Sequence, residues 1–357
     1  MLHYASAPAK PSLRTARPQV ILHGHLVDQT IDRSERATFV KEVVVTRGKV
    51  PLAMVRKRLA DRRGATLAPV LLIHGFGQNR YAWHLPLRSF ANHLAAAGFD
   101  VFNLDLRGHG RSRAFGGKRS KSVHDYYAED LPNAVEEVQR ISGGRPVFLV
   151  GHSLGGLVSY AGAPALGDAI AGVVSIGSPY HFTRGSASLG AIATFVRMAS
   201  WLDLRPNPSV ALKPIGLTLS ALRRFAESPL YPIPLRGWHK GALEPEVLAQ
   251  HLELAFDRAG VGELVDMFEW ANDKQFGGAG SGLTERFESL DLPLLVIAGT
   301  NDDLAPPASV RPAFTRSAAR DKTYRALPLG HIDLLVGRDA PKTIWLLVSE
   351  WLKGRSI

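Results

Sequence analysis

The 357-residue chain contains no cysteine, which excludes disulfides, thiolate metal sites and a cysteine nucleophile. It also lacks any run of about eighteen apolar residues, the least that spans a bilayer as a helix. The first twenty residues carry Lys10, Arg14 and Arg17 without a following apolar core of signal-peptide type, so a cytoplasmic protein is expected. Acidic charge is in deficit, giving a net charge of +11. The surplus is scattered over short clusters such as Arg56-Lys57-Arg58, Arg62-Arg63 and Arg223-Arg224 and forms no single tract. No nucleic-acid-binding motif accompanies it, so no nucleic-acid partner is expected, only a soluble basic surface able to make weak contact with membranes or other anionic surfaces. An apolar content of 45% and a charged content of 21% are ordinary for a globular protein with a sizeable core.

Residues 1–37 mix Pro, Ala and Arg with one short apolar piece, and they read as an N-terminal extension draped over or detached from the domain. Two stretches of strand character, 38–46 and 50–59, flank Arg47-Gly48-Lys49 as a hairpin. From there short apolar runs at 69–74, 100–105, 146–151 and 171–177 alternate with helical patterns at 87–97 and 123–141. That alternation implies βαβ crossovers and a mostly parallel sheet opened by an antiparallel hairpin. It stops at Tyr180. Residues 180–290 carry helical patterns at 187–204, 210–227 and 245–272, punctuated by prolines and a glycine cluster, and are expected to be an inserted helical cap. Strand patterns resume at 292–299 and 322–326, and a helix over 340–351 closes the chain, so 38–179 and 291–357 form one α/β core.

The most informative stretch is Pro146-Val147-Phe148-Leu149-Val150-Gly151-His152-Ser153-Leu154-Gly155-Gly156, an apolar strand that ends in G-x-S-x-G and opens a small-residue helix. A turn of that kind leaves no room for Cβ atoms where strand and helix meet, and it makes Ser153 project alone as a candidate nucleophile. A serine hydroxyl needs a base, and the base needs an orienting carboxylate. His331 follows one predicted strand, and Asp302 and Asp303 follow another, so all three groups fall at strand carboxyl ends, where open parallel sheets gather their chemistry. The spacing to Gly299 and Pro306 favours Asp302, with Asp303 the alternative.

With these residues in view, the chain resembles the α/β-hydrolase superfamily from the first hairpin to the last helix. His74-Gly75-Phe76-Gly77 is similar to the family's oxyanion loop, and Asp105-Leu106-Arg107-Gly108-His109-Gly110 to its loop after the next strand. Ser153, Asp302 and His331 match the nucleophile, acid and base in chain order. The resemblance implies an oxyanion hole from the backbone N–H groups of Phe76 and Leu154, and a reaction that calls for neither a metal nor an organic cofactor. His74 and His109 read better as structural residues of their loops.

Phe99-Asp100-Val101-Phe102-Asn103-Leu104-Asp105 with Arg107-Gly108, the long cap, and Gly330-His331-Ile332-Asp333-Leu334-Leu335-Val336-Gly337-Arg338 are similar to polyhydroxyalkanoate synthases and acid lipases, a resemblance that implies a small-molecule ester substrate with a hydrophobic acyl part. Those synthases use cysteine at the elbow, and this chain has Ser153, so the resemblance implies hydrolysis through an acyl-enzyme. Phe76, Trp83, His152, Phe182, Trp201 and Trp238 are the candidate substrate-contacting side chains. The same triad would serve a thioesterase, an aminopeptidase, a carbon–carbon bond hydrolase or a perhydrolase, and a ligand-binding homologue without turnover is a further alternative.

Overall fold

The structure is a computed structural model that describes residues 21–356 apart from 63, 117–118, 188, 192, 195–208 and 223–236. Its strands are β1 (Ile21–Asp32), β2 (Glu35–Val45), β3 (Ala53–Leu59), β4 (Pro69–Ile73), β5 (Asp100–Asp105), β6 (Val147–His152), β7 (Ile170–Ile176), β8 (Ser209–Ala211), β9 (Arg258–Gly260), β10 (Leu294–Gly299) and β11 (Lys322–Leu327). Nine of them make one sheet in the order β1-β2-β3-β5-β4-β6-β7-β10-β11, and β8 pairs with β9 in a separate ribbon. From β5 onward in that order the pairings are parallel, and the pairs β1–β2, β2–β3 and β3–β5 are antiparallel.

The central strands are apolar along their whole length because both of their faces are covered. Every residue of β4, β6 and β10 is buried. One face packs the helices Leu131–Ile141, Leu154–Leu166 and Pro307–Arg316, and the other packs Phe90–Ala96 and Ile344–Lys353. The chain leaves β4 for β5 on one side and later returns to β6 on the other, so the crevice of the sheet opens above β4 and β6.

The N-terminal part departs from the expectation of an extension over 1–37. Ile21–Asp32 is the twelve-residue strand β1, paired with β2 through nine register positions at the edge of the sheet. Its mixed polar and apolar alternation is what an edge strand with one open side requires, and a reading centred on apolar runs misses it. Arg88 fastens this edge to the rest of the molecule. Its buried guanidinium meets Asp32 at 2.7 Å and Glu244 at 2.9 Å, and it donates to the Val336 carbonyl at 3.0 Å.

The segment between β7 and β10 also differs in detail. Residues 245–272 are not one helix: Pro245–Gln250 runs into a wide turn at His251–Ala255, β9 interrupts, and Val261–Asn272 follows. Tertiary bonds override the helical pattern here, since Asp257 N–H donates to the Gly77 carbonyl at 2.8 Å and the Asp257 carboxylate accepts from Gly110 N–H at 2.7 Å. Val210 lies in β8 against Ala259, and the helix beside it begins only at Lys213. The helical expectation over 187–204 falls largely outside the described residues. Among the described residues, no helix is long and apolar enough to cross a membrane.

Replacing Arg88 by Met should lower stability by about 3 kcal/mol, the low end for breaking a buried ion pair, because Arg33 and Arg338 still face Glu244 at 3.2 and 3.9 Å. A urea midpoint close to that of the wild type would show that β1 is only loosely tied to the fold.

Candidate active site

Three strand ends converge above the sheet. At the end of β6, Ser153 adopts φ 53° and ψ −119°, a conformation that costs a non-glycine residue about 1–3 kcal/mol. The surroundings hold it there. Ser153 N–H donates to the Ile176 carbonyl of β7 at 3.0 Å. The helix Leu154–Leu166 approaches so closely that a Cβ at Gly155 would overlap the Ile73 carbonyl and one at Gly151 would overlap Gly155 itself. A Cβ at Gly156 would likewise run into the Ser178 hydroxyl.

Behind β10 and β11, His331 and Asp302 meet. His331 Nδ1 lies 2.7 Å from Asp302 Oδ2, and both side chains are buried. The other carboxylate oxygen, Oδ1, accepts from the N–H groups of Leu304 at 2.9 Å and Ala305 at 2.7 Å, which fixes the carboxylate plane. Asp303, the alternative, is exposed to solvent. The loop that carries His331 is anchored by Asp333, whose Oδ2 accepts from Gly330 N–H at 2.9 Å and from His239 N–H at 2.8 Å.

Ser153 and His331 line one cavity of about 350 Å³. Its wall is mostly apolar and includes Phe76, Leu157, Phe182, Phe256, Leu264, Met267 and Phe268. Gly75 brings the loop after β4 against the nucleophile, because a Cβ there would stand 3.2 Å from Ser153 Cβ. Phe76 and Leu154 both border the cavity, and among the described residues no backbone acceptor takes up either amide.

Of the candidate contact residues, Phe76 and Phe182 lie on the cavity wall, and Trp201 is outside the described residues. Trp83, His152 and Trp238 do not line it. Trp83 is buried in the core against Phe90, and Trp238 is buried in the same apolar cluster. His152 lies behind the base, with ring centroids 4.6 Å apart, its Nε2 3.2 Å from the His331 carbonyl, and burial keeping its imidazole well below the ordinary value. Aromatics of the loops and cap expected to overhang Ser153 are natural wall residues, but Trp83 and Trp238 turn into the core and His152 lies behind His331.

The sequence reading passed over Gln78 and His251. Gln78 lines the cavity, and its Nε2 lies 3.2 Å from His251 Nε2. Burial, with a smaller contribution from His331, lowers the His251 imidazole to about 4, so it is neutral near pH 7. Leu264, Met267 and Phe268 have the i, i+3, i+4 spacing of one helix face, a signal that reads equally as core. His74 is a structural bridge, its Nδ1 2.9 Å from the Gly75 carbonyl in its own loop and its Nε2 accepting from Leu106 N–H, in the loop after β5, at 3.1 Å. The Arg107 guanidinium is held by Asp130 at 2.7 Å, and the Asp105 carboxylate accepts from Arg111 N–H at 2.8 Å, so the loop after β5 is a braced arch. Among the described residues no group of three or more His, Asp or Glu side chains is placed to hold a metal ion.

A serine on a strained strand-to-helix turn, lining one cavity with a buried His–Asp pair at the carboxyl ends of a mostly parallel sheet, is the architecture of the α/β hydrolases. Residues 68–338 match the alpha/beta hydrolase fold family, and the chain belongs to it. The chain is 28% identical over 275 residues to a monoacylglycerol lipase of Mycolicibacterium smegmatis, covering 75% of this chain and 80% of that one. It is 25% identical over 369 residues to the poly(3-hydroxyalkanoate) polymerase subunit PhaC of Haloferax mediterranei, covering 98% and 73%. Among solved structures the fold is shared with the Paleococcus ferrophilus monoacylglycerol lipase, at TM-score 0.55, 23% identity and coverage of 85% and 99%. A soluble variant of the Saccharomyces cerevisiae monoglyceride lipase gives TM-score 0.57, 18% identity and coverage of 98% and 100%. The chain is thus a hydrolase-family protein whose relatives include lipases and esterases.

Burial pushes the Asp333 carboxyl up from 3.8 to about 6, against the bonds from His239 and Gly330 N–H that favour its ionised form. The folded state therefore holds a proton between about pH 4 and 6 that the unfolded chain has released, so this group lowers stability as the pH rises through that window. Asp333→Asn keeps an acceptor oxygen for both amides and should flatten this part of the stability–pH curve. Urea unfolding of both proteins between pH 4 and 7 measures it, and parallel curves would contradict the assignment.

Proposed function

We propose that the protein hydrolyses carboxylic esters with a hydrophobic acyl part, using Ser153, His331 and Asp302 through an acyl-enzyme. The observation that carries this reading is the cavity shared by Ser153 and His331, with the far ring nitrogen of His331 held 2.7 Å from the buried Asp302 carboxylate. If His331 donates its Nδ1–H to Asp302, Nε2 is left as the base. It takes the Ser153 proton as the hydroxyl oxygen attacks the ester carbonyl, then protonates the departing alcohol. Water repeats the sequence on the acyl-enzyme and releases the acid. The amides of Phe76 and Leu154 serve as the oxyanion hole, where each donor contributes about 3 kcal/mol of transition-state stabilisation. The apolar wall supplied by Leu157, Phe182, Met267 and Phe268 receives the acyl chain.

In this reading, residues 180–290 act as a cap that roofs the cavity, since Leu212, Phe256 and Leu264 come from that segment. A volume of about 350 Å³ stands near the lower end of the range for small-molecule sites, about 300–1,000 Å³, which favours short to medium acyl chains. The lipase relatives support an ester substrate. Because one relative is by name a poly(3-hydroxyalkanoate) polymerase subunit, 3-hydroxyacyl esters belong in the substrate panel.

The test is turnover of a p-nitrophenyl ester series of increasing acyl length. Ser153→Ala and His331→Ala should each lower kcat by at least about 10³-fold, and Asp302→Asn should do so while Asp303→Asn leaves the rate near that of the wild type. A fluorophosphonate probe should label the wild type and not Ser153→Ala. Turnover that survives the loss of Ser153 would remove the mechanism.

A further inference from the structure

A second cavity, of about 330 Å³, lies under the N-terminal antiparallel strands and away from the Ser153 cavity, with which it shares no lining residue. Five basic side chains border it: Arg36, Lys41, Lys57, Arg80 and Arg111. The β2–β3 register sets Lys41 directly opposite Lys57, a like-charge pair that destabilises a sheet unless something compensates it. Compensation from the protein is incomplete. Arg36 is paired with Asp28 at 2.9 Å and Arg80 with Asp105 at 2.9 Å. Lys57, whose residue is only 2% exposed, is held by neutral groups, the Gln29 and Asn92 side-chain oxygens at 2.7 and 2.6 Å and the His84 ring at 3.3 Å, and burial, then Lys41 and Arg80, lowers its ammonium well below the ordinary value. Among the described residues Lys41 has no acidic partner, and the buried Arg111 Nε has no hydrogen-bond partner. The mutual repulsion is visible in Lys41, whose ammonium is lowered by burial and then by Arg111 and Arg80. One acceptor on the wall is also unused: Asn103 Nδ2 donates to the Arg80 carbonyl at 3.0 Å, and its buried Oδ1 has no partner.

We propose that this cavity binds a phosphate-type oxyanion, either a free phosphate or pyrophosphate or the phosphate of a lipid headgroup. Five basic side chains against two carboxylates leave Lys41, Lys57 and Arg111 without an acidic counterpart, a surplus that a dianion would relieve better than a single carboxylate. Guanidinium and ammonium donors converging from β2, β3, the Arg80 turn and the helix Gly110–Ala114 suit a tetrahedral oxyanion, whose several oxygens can each take a donor. The unused Asn103 oxygen suits the P–OH of a hydrogen phosphate. A nucleic-acid backbone fits poorly, because the positive charge of the chain forms no continuous tract and no nucleic-acid-binding motif accompanies it.

The full chain is titrated calorimetrically with sodium pyrophosphate and with inorganic phosphate at low ionic strength, and is co-sedimented with phosphatidylcholine vesicles with and without phosphatidic acid. One-site binding of either free anion is expected in the wild type and in Ser153→Ala. Lys41→Gln and Arg111→Gln should each weaken it by at least about tenfold, while Lys213→Gln, on an exposed helix elsewhere, should leave it unchanged. Thermal midpoints of the variants equal to that of the wild type exclude misfolding as the cause. Anion binding without sedimentation identifies a free phosphate. Sedimentation only with phosphatidic acid, abolished by Lys41→Gln and Arg111→Gln, identifies a headgroup, and either result supports the site. No saturable binding of any of these probes, or binding that both variants leave intact, overturns it.

Discussion

The close approach of the helix Leu154–Leu166 to β4 and β6 is the constraint on which the rest of the site depends. Gly151, Gly155 and Gly156 stand where any side chain would collide with backbone or with Ser178, so the helix can begin immediately after the strand. That compression forces Ser153 to a positive φ and lifts it out of the turn. The strain is sustained by strands buried along their whole length, whose apolar contacts far outweigh about 1–3 kcal/mol.

Around that fixed point, the buried carboxylates Asp302 and Asp333 have partners that define their orientation. Asp302 spends one oxygen on two backbone amides and the other on His331, so the imidazole has one ring orientation available. Asp333 performs the same service for the loop, at the cost of a carboxyl that resists ionisation. The neighbouring His152 and His251 are held neutral by burial, which keeps positive charge away from His331. The N-terminal strands show the opposite arrangement, with cations gathered and incompletely neutralised, and this contrast marks that recess as built for something outside the chain.

The lettering of the core strands and of the elbow was legible because those features are local. An apolar run of five or six residues buried on both faces, and glycines flanking a serine, are written in consecutive positions. Strand β1 was not legible as a strand because an edge needs only half its residues apolar, and its partner β2 lies across a turn that the composition does not announce. The helical pattern over 245–272 was legible but misleading, since the bond from Asp257 N–H to Gly77 and the β8–β9 pairing depend on residues far away in sequence.

The sequence by itself determined the fold class, the order Ser153, Asp302, His331 and the loops that carry them, because each rests on short-range steric and hydrophobic patterns. The spacing to Gly299 and Pro306 favoured Asp302 over its neighbour Asp303, but only tertiary structure supplies the physical reason, since the packing of the strand ends buries Asp302 against the imidazole and exposes Asp303. Tertiary structure alone decided the cavity wall. Trp83 and Trp238 turn inward to the core, whereas Met267 and Phe268 arrive from a helix more than one hundred residues away from Ser153, and no local pattern encodes that meeting.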